Sequence, residues 1–89
     1  MATVFIPAQL RDLTRGARKV DARGATLRDV LDTLDAKHPG IKARLLDDDG
    51  EALNPYIEIA VDDAIATLGL LTPVGPKSEV HILPNVSGG

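Results

Sequence analysis

A single amphipathic segment near the middle of the chain most restricts the folds open to it. Its apolar residues recur at the i, i+3, i+4, i+7 spacing of one helical face, at Leu27, Val30, Leu31 and Leu34. Thr26 stands where a side-chain cap is expected, and Pro39-Gly40 ends the pattern. The sequence therefore predicts one main helix over residues 27–37, which must bury its apolar face against another element.

The residues on either side of this helix have the composition of β-strands. Four segments show the β-branched residues, the alternation or the proline boundaries of strands: 3–7, 17–21, 56–61 and 79–83. Pro84 is expected to stop the last of them. Residues 41–46 favour a short helical turn, and residues 64–78 leave room for one short additional strand.

This order of elements predicts an α+β fold in which one helix covers a mixed sheet of four to five strands. A split β-α-β module would need a second long helix, which the sequence lacks, so a β-grasp (ubiquitin-like) fold is the better interpretation. We expect one domain over residues 1–84 and a flexible C-terminal tail over residues 85–89. With one Phe, one Tyr and no Trp, the core must be aliphatic. Its expected members are Leu27, Val30, Leu31, Leu34, Ile57, Ile59, Val61, Val80 and Ile82.

Composition excludes several classes of function. The chain has no cysteine, so disulfides, thiolate metal sites and a cysteine nucleophile are all absent. The two histidines are isolated, and an apparent calcium loop over residues 47–58 has Ala52 where glycine is required. We therefore expect no metal site. No signal peptide or membrane-spanning run is recognisable, which favours a cytoplasmic protein without membrane contact.

Charge is distributed unevenly along the chain. Residues 1–44 carry nine Arg or Lys against five Asp, whereas residues 45–89 carry Lys77 alone against eight acids. The basic residues are not interleaved with aromatic residues, so nucleic-acid binding is not expected. Two interpretations stay open for the acidic half: an ordinary solvated surface, or a surface that steers docking onto a basic partner.

The chain ends in Gly88-Gly89, six residues after the last predicted strand. Glycine has no Cβ, so such an end can enter a narrow channel and deliver its carboxylate to ATP. Adenylation would give the carboxylate a leaving group, and a sulfur donor could then displace AMP to leave a thiocarboxylate on Gly89. Ser87 has no neighbouring base and is expected to be a spacer. Two interpretations stay open for Leu83 and Val86. They are ordinary core residues, or they are part of a docking patch, since Pro84 directs the chain away from the fold.

The sequence resembles the ThiS/MoaD family of ubiquitin-like sulfur carriers, which includes the small subunit of molybdopterin synthase and the carriers for thiamine and cysteine biosynthesis. The resemblance runs along essentially the whole chain. Its most specific parts are residues 38–41, 44–46, 49–50 and 79–89. Carriers of this family commonly end in a strand followed by Pro-x-Val-x-Gly-Gly, which Pro84, Val86, Gly88 and Gly89 match position by position.

The resemblance implies that the chain is a carrier and not itself an enzyme. It would bind no cofactor, while a partner adenylyltransferase of the ubiquitin-activating type would use ATP and Mg. Gly89 would be the reacting residue, Val86, Ser87 and Gly88 the segment that enters the partner, and Leu83 and Pro84 a contact with it. A second partner would be a synthase that accepts the sulfur.

The sequence departs from the family at one place and leaves the acceptor open. Gly75-Pro76-Lys77-Ser78 replaces the Asp-Gly-Asp that often precedes the last strand, which bears on the choice of partner. The length of residues 47–53 resembles the molybdopterin and cysteine carriers more than the thiamine carrier. Two other functions remain: a protein modifier that forms isopeptide bonds through Gly89, and an inert β-grasp interaction domain with a chance Gly-Gly end.

Overall fold

A computed structural model describes residues 1–84 of the chain. The predicted flexibility of residues 85–89 therefore concerns residues outside the described part. The elements are five strands and two α-helices: β1 (Ala2–Phe5), β2 (Lys19–Ala22), α1 (Leu27–Lys37), α2 (Ile41–Leu45), β3 (Ile57–Val61), β4 (Ala64–Ile65) and β5 (Glu79–Pro84). Short 3-10 turns occupy Ala8–Leu10 and Gly69–Leu71.

The strands form one mixed sheet in the order β2-β1-β5-β3-β4. β1 and β2 are an antiparallel hairpin, and β5 runs parallel to β1 and antiparallel to β3. The last strand of the chain therefore lies in the middle of the sheet. The expected mixed sheet with one main helix is confirmed, and it has five strands.

Helix α1 begins and ends where the sequence predicts. The Thr26 hydroxyl accepts a hydrogen bond from the Asp29 amide at 3.4 Å, which satisfies one of the unpaired amides of the first turn. The four apolar residues of the helix are fully buried against the sheet. At the other end, Gly40 has a φ of 102°, a left-handed conformation that favours glycine.

Gly24 sets how closely the chain approaches the start of α1. A Cβ at this position would lie 2.6 Å from the Val30 amide nitrogen and 2.8 Å from the Asp29 carbonyl carbon. These are backbone atoms that cannot rotate aside. Glycine is therefore required for the tight connection between β2 and the helix.

Several predicted strand bounds are wrong, including those of the second strand, which spans Lys19–Ala22 and not residues 17–21. β1 ends at Phe5 and not at Pro7, because Pro7 lacks an amide hydrogen and leads directly into the 3-10 turn that follows. β5 includes Pro84, which was expected to stop it. Beyond His81 the strand pairs with β3 alone, so one side of the backbone at Pro84 has no strand to bond.

The predicted core is confirmed except at one residue. Ile57 is only partly buried, because it opens β3 at the rim of the sheet. The structure adds buried residues from segments without a clear periodicity, namely Ile6, Leu10, Ile41, Leu45, Leu46, Leu70 and Val74. Within residues 1–84, neither helix has the length and apolar character needed to cross a bilayer.

Candidate functional site

The candidate site is the end of β5, from which the C-terminal residues continue. Phe5 and His81 form the last register pair between β1 and β5, whereas β3 stays paired with β5 as far as Pro84. The strand thus runs three residues past its pairing with β1, about 10 Å at the rise of a strand. Leu83 lies on this projecting part and is 43% exposed. Of the two alternatives for Leu83, the structure excludes a core position.

An apolar strip crosses the face of the sheet that α1 does not cover. Side chains at paired register positions share a face, and the pairs Phe5–His81, His81–Ala60 and Ala60–Ile65 connect four strands in one row. Leu83 lies two residues along β5 from His81 and therefore on the same face. We call these five residues the outer-face strip.

The centre of this strip is a stacked pair of rings. The Phe5 and His81 rings have centroids 4.3 Å apart and an angle of 3° between their planes. The Glu79 carboxylate lies 3.6 Å from His81 Nε2. Ile65 is 49% exposed at the edge of the sheet, Phe5 and His81 are partly exposed, and Ala60 between His81 and Ile65 is buried, at 8% exposure. Sequence periodicity placed His81 on a sheet face but could not show that Phe5 stacks on it, because strand register was unknown.

The beginning of β5 is held by a hydrogen-bonded carboxylate. Asp62 Oδ1 accepts from the Glu79 amide at 2.9 Å, and its Oδ2 accepts from the Ser78 hydroxyl at 2.6 Å. The same hydroxyl oxygen accepts from the Gly75 amide at 2.8 Å. These bonds tie the turn after β3 to residues 75–78, the segment in which this chain departs from the family pattern. They fix β5 at the end opposite to the tail.

The Ser78 hydroxyl, followed by the Glu79 amide, lowers the pKa of the Asp62 carboxyl below its ordinary value. A lowered folded-state pKa stabilises the protein above the unfolded pKa, and this stability is lost as the pH falls through the folded-state pKa. We expect Asp62→Asn to lower the thermal midpoint at pH 7. The difference from wild type should shrink steadily below about pH 4, near the ordinary carboxyl pKa.

Asp63→Asn is the matched control, since Asp63 is also exposed and in a left-handed conformation but accepts no hydrogen bond among the side-chain contacts of residues 1–84. Thermal unfolding followed by circular dichroism from pH 2 to pH 7 compares the two. An Asp62→Asn midpoint that stays below wild type by the same margin throughout this range would contradict the assignment.

The acidic segment after α2 is a capped turn. Asp47 Oδ1 accepts from the Glu51 and Ala52 amides at 3.2 and 3.4 Å. In the neighbouring groove, Asp35 Oδ1 accepts from the Gly40 and Lys42 amides at 3.1 Å each. These carboxylates are engaged with the backbone. Among residues 1–84, no three His, Asp or Glu side chains are arranged to hold a metal ion.

The structure places only part of the predicted site. Leu83 is exposed, and Pro84 stands opposite Ile57 in the sheet. The reacting and tail positions, Gly89, Gly88, Ser87 and Val86, lie outside the described residues. The structure therefore shows the root of the tail and the surface beside it.

The chain is similar to known sulfur carriers and to an archaeal modifier. The ThiS family model matches residues 4–89. The sulfur carrier protein CysO of Mycobacterium tuberculosis is 39% identical over 90 residues, which covers 98% of this chain and 97% of the relative. The small archaeal modifier protein 1 of Haloferax volcanii is 40% identical over 72 residues, covering 80% and 79% of the two chains.

A solved structure agrees with this. A chain in the crystal structure of the Amycolatopsis orientalis BexX/CysO complex superposes with a TM-score of 0.91, at 38% identity and with both chains fully covered. The fold is thus a ubiquitin-like β-grasp, as predicted. The chain belongs to the ThiS family.

Proposed function

We propose that this protein is a sulfur carrier that acts through a thiocarboxylate on Gly89. The observation that carries the proposal is the family match, which extends through the terminal Gly88-Gly89 to residue 89. It is supported by 39% identity to CysO along the whole chain. The protein would be a co-substrate of other enzymes, and its ATP-dependent activation is expected in the cytoplasm.

The chemistry requires no side chain of the carrier. The Gly89 carboxylate attacks the α-phosphate of ATP, which forms an acyl-adenylate and releases pyrophosphate. Hydrosulfide then attacks the acyl carbon, AMP leaves with the bonding electron pair of the broken C–O bond, and the sulfur-bound proton goes to solvent. ATP and Mg would be used by the partner adenylyltransferase, and the carrier itself would bind no cofactor. A synthase then accepts the sulfur.

The outer-face strip is the surface on which the adenylyltransferase would dock. Five residues follow Pro84, and they can span at most about 18 Å. An enzyme that holds Gly89 in its active site must therefore approach the end of β5. The exposed apolar residue nearest to that point is Leu83, at 43% exposure. A relative of this protein has been crystallised in a BexX/CysO complex, which supports a protein partner.

A second function, attachment to lysines of other proteins through an isopeptide bond, has one observation in its favour. The small archaeal modifier protein 1 is 40% identical over 80% of this chain. The two functions share the activated C-terminus and differ in the final acceptor. Sulfide leads to a thiocarboxylate, whereas a lysine amine leads to a conjugate of higher mass.

Intact-protein mass spectrometry tests the proposal. With ATP, Mg, a cognate adenylyltransferase and a sulfide source, the chain should gain the mass difference between a sulfur and an oxygen atom. We expect Leu83→Ala to lower kcat/KM for adenylation about tenfold, the effect of truncating an interface anchor by more than 1 kcal/mol. Leu71→Ala is the matched control, because Leu71 is 70% exposed but lies in the 3-10 turn before β5, away from the tail.

An acyl-adenylate that never forms on the wild-type chain would refute the carrier function. Equal adenylation of Leu83→Ala and Leu71→Ala would instead refute the outer-face strip as the docking surface. Products that carry a second protein chain and no sulfur would favour the modifier function.

A further inference from the structure

A cluster of cationic side chains stands beside the point where the tail leaves the sheet. Residues 11–19 carry Arg11, Arg15, Arg18 and Lys19 against the single carboxylate of Asp12. We call this segment, which leads from β1 into β2 and includes the first residue of β2, the cationic loop. The surface proposed above for docking of the adenylyltransferase does not include the cationic loop.

Strand direction brings the cationic loop and the tail to the same end of the sheet. β1 and β5 are parallel, so the loop that follows β1 and the tail that follows β5 leave the sheet together. Lys19 pairs with Phe5, which pairs with His81, and the Ile6 amide donates to the Arg18 carbonyl one step further on. Arg18 is thus two strands away from β5, about 10 Å at ordinary strand spacing.

Three of the four cationic side chains of the loop have no ion-pair partner within the described part of the chain. Arg15, Arg18 and Lys19 are exposed and form no ion pair with any of residues 1–84. The Asp12 carboxylate lies 4.0 Å from the Arg44 guanidinium, and Asp21 accepts from the Thr3 hydroxyl at 3.3 Å. The carboxylates of Asp12 and Asp21 therefore contact groups other than Arg15, Arg18 and Lys19.

The loop presents these charges on a rigid base. The Thr14 hydroxyl donates to the Ala17 carbonyl at 2.9 Å, and the Gly16 amide donates to the Arg11 carbonyl at 2.7 Å. Thr14 is 2% exposed and Leu10 is 3% exposed, so the loop is packed onto the domain. A surface that is already ordered loses little conformational entropy when a partner binds it.

The backbone at Arg15 gives an independent indication. Arg15 has a φ of 59°, a left-handed conformation that costs a residue with a side chain about 1 kcal/mol or more relative to glycine. Its side chain is exposed. Strained residues of this kind concentrate at binding sites, where the side chain serves the interaction.

We infer that the cationic loop is a second docking element, which binds a carboxylate-rich rim beside the tail-receiving channel of the adenylyltransferase. Opposite charges at the rim of an interface raise the association rate more than they strengthen the final complex. The loop would thus orient the incoming carrier so that the tail meets the channel. This inference rests on the proposed function.

Charge reversal with a matched control tests it. Arg15→Glu/Arg18→Glu/Lys19→Glu reverses the loop. Arg23→Glu/Arg28→Glu/Lys77→Glu makes the same change in net charge at the opposite end of the sheet, on residues that are also exposed and without ion pairs among residues 1–84. We expect the loop variant to lower kcat/KM for adenylation by about tenfold or more at low salt. The loss should appear in KM, leave kcat unchanged and diminish as salt screens the charges.

Arg15→Gly separates function from folding, because glycine relieves the left-handed backbone while removing the charge. We expect its thermal midpoint to stay at or above wild type while its KM rises. Equal effects of the two triple variants, or wild-type KM in the loop variant, would overturn the inference. The inference would also be overturned if the loop variant lost binding to a single-stranded RNA oligonucleotide while its adenylation stayed equal to that of the wild type. A wild-type chain that is never adenylated would instead refute the proposed function, and this inference with it.

Discussion

A chain that lacks Gly89 should acquire no sulfur under conditions in which the wild-type chain is fully converted. The deletion withdraws the carboxylate by one residue, about 3.3–3.6 Å of extended chain. Misplacement of a reacting group by about 1 Å can already lower a rate on the order of a hundredfold. Gly88→Val should fail as well, because a β-branched side chain restricts the backbone and would block a channel that fits glycine.

Ser87→Ala is the matched control for these two variants. It changes the tail one residue earlier without altering its length, and a spacer hydroxyl should contribute almost nothing to conversion. Intact-protein mass spectrometry compares the four chains in a single reaction mixture. Sulfur on the chain without Gly89 would contradict the proposed chemistry, and a strong loss with Ser87→Ala would show that the hydroxyl has a role of its own.

Leu31→Ala should produce a large loss of stability. Leu31 is fully buried in the middle of the helix face that contacts the sheet. Large-to-small substitutions at such positions cost about 2–5 kcal/mol in free energy of unfolding, through lost burial and the cavity that remains. A domain of this size has only about 5–15 kcal/mol in total.

Urea unfolding at 25 °C measures this difference, with Leu71→Ala as the exposed control, whose effect should stay within about 0.5 kcal/mol. Below its unfolding transition, Leu31→Ala should still accept sulfur, because no residue of the tail or the outer-face strip has changed. A free energy of unfolding equal to wild type would contradict the packing of α1. Loss of sulfur acceptance by the folded variant would show that α1 takes part in docking.

The helix and its cap could be predicted because their signals are local. The spacing of four apolar residues defines one helix face, and Thr26 and Pro39-Gly40 mark its ends within a few residues. The Gly-Gly end and the proline before it are likewise read directly from adjacent positions. Such signals depend only on residues that are close in the sequence. They can be read without knowing which residues are close in the folded structure.

The candidate docking surfaces could not be predicted in the same way. The stacking of Phe5 on His81 joins residues 76 positions apart and depends on the parallel register of β1 and β5. The exposure of Leu83 follows from where β1 stops pairing, and the hydrogen bonds of Asp62 follow from how two turns meet. A shift of one residue in register would move Phe5, His81 and Leu83 to the other face of the sheet.

The sequence by itself determined the helix, the aliphatic character of the core and the Gly-Gly end of this protein, because each of them depends on residue type and local spacing. Only the tertiary structure decided which surfaces accompany that end. It placed the last strand in the middle of the sheet, parallel to the first. For that reason the cationic loop, which follows β1, and Leu83 of the outer-face strip lie at the same end of the sheet, although they are far apart in the sequence.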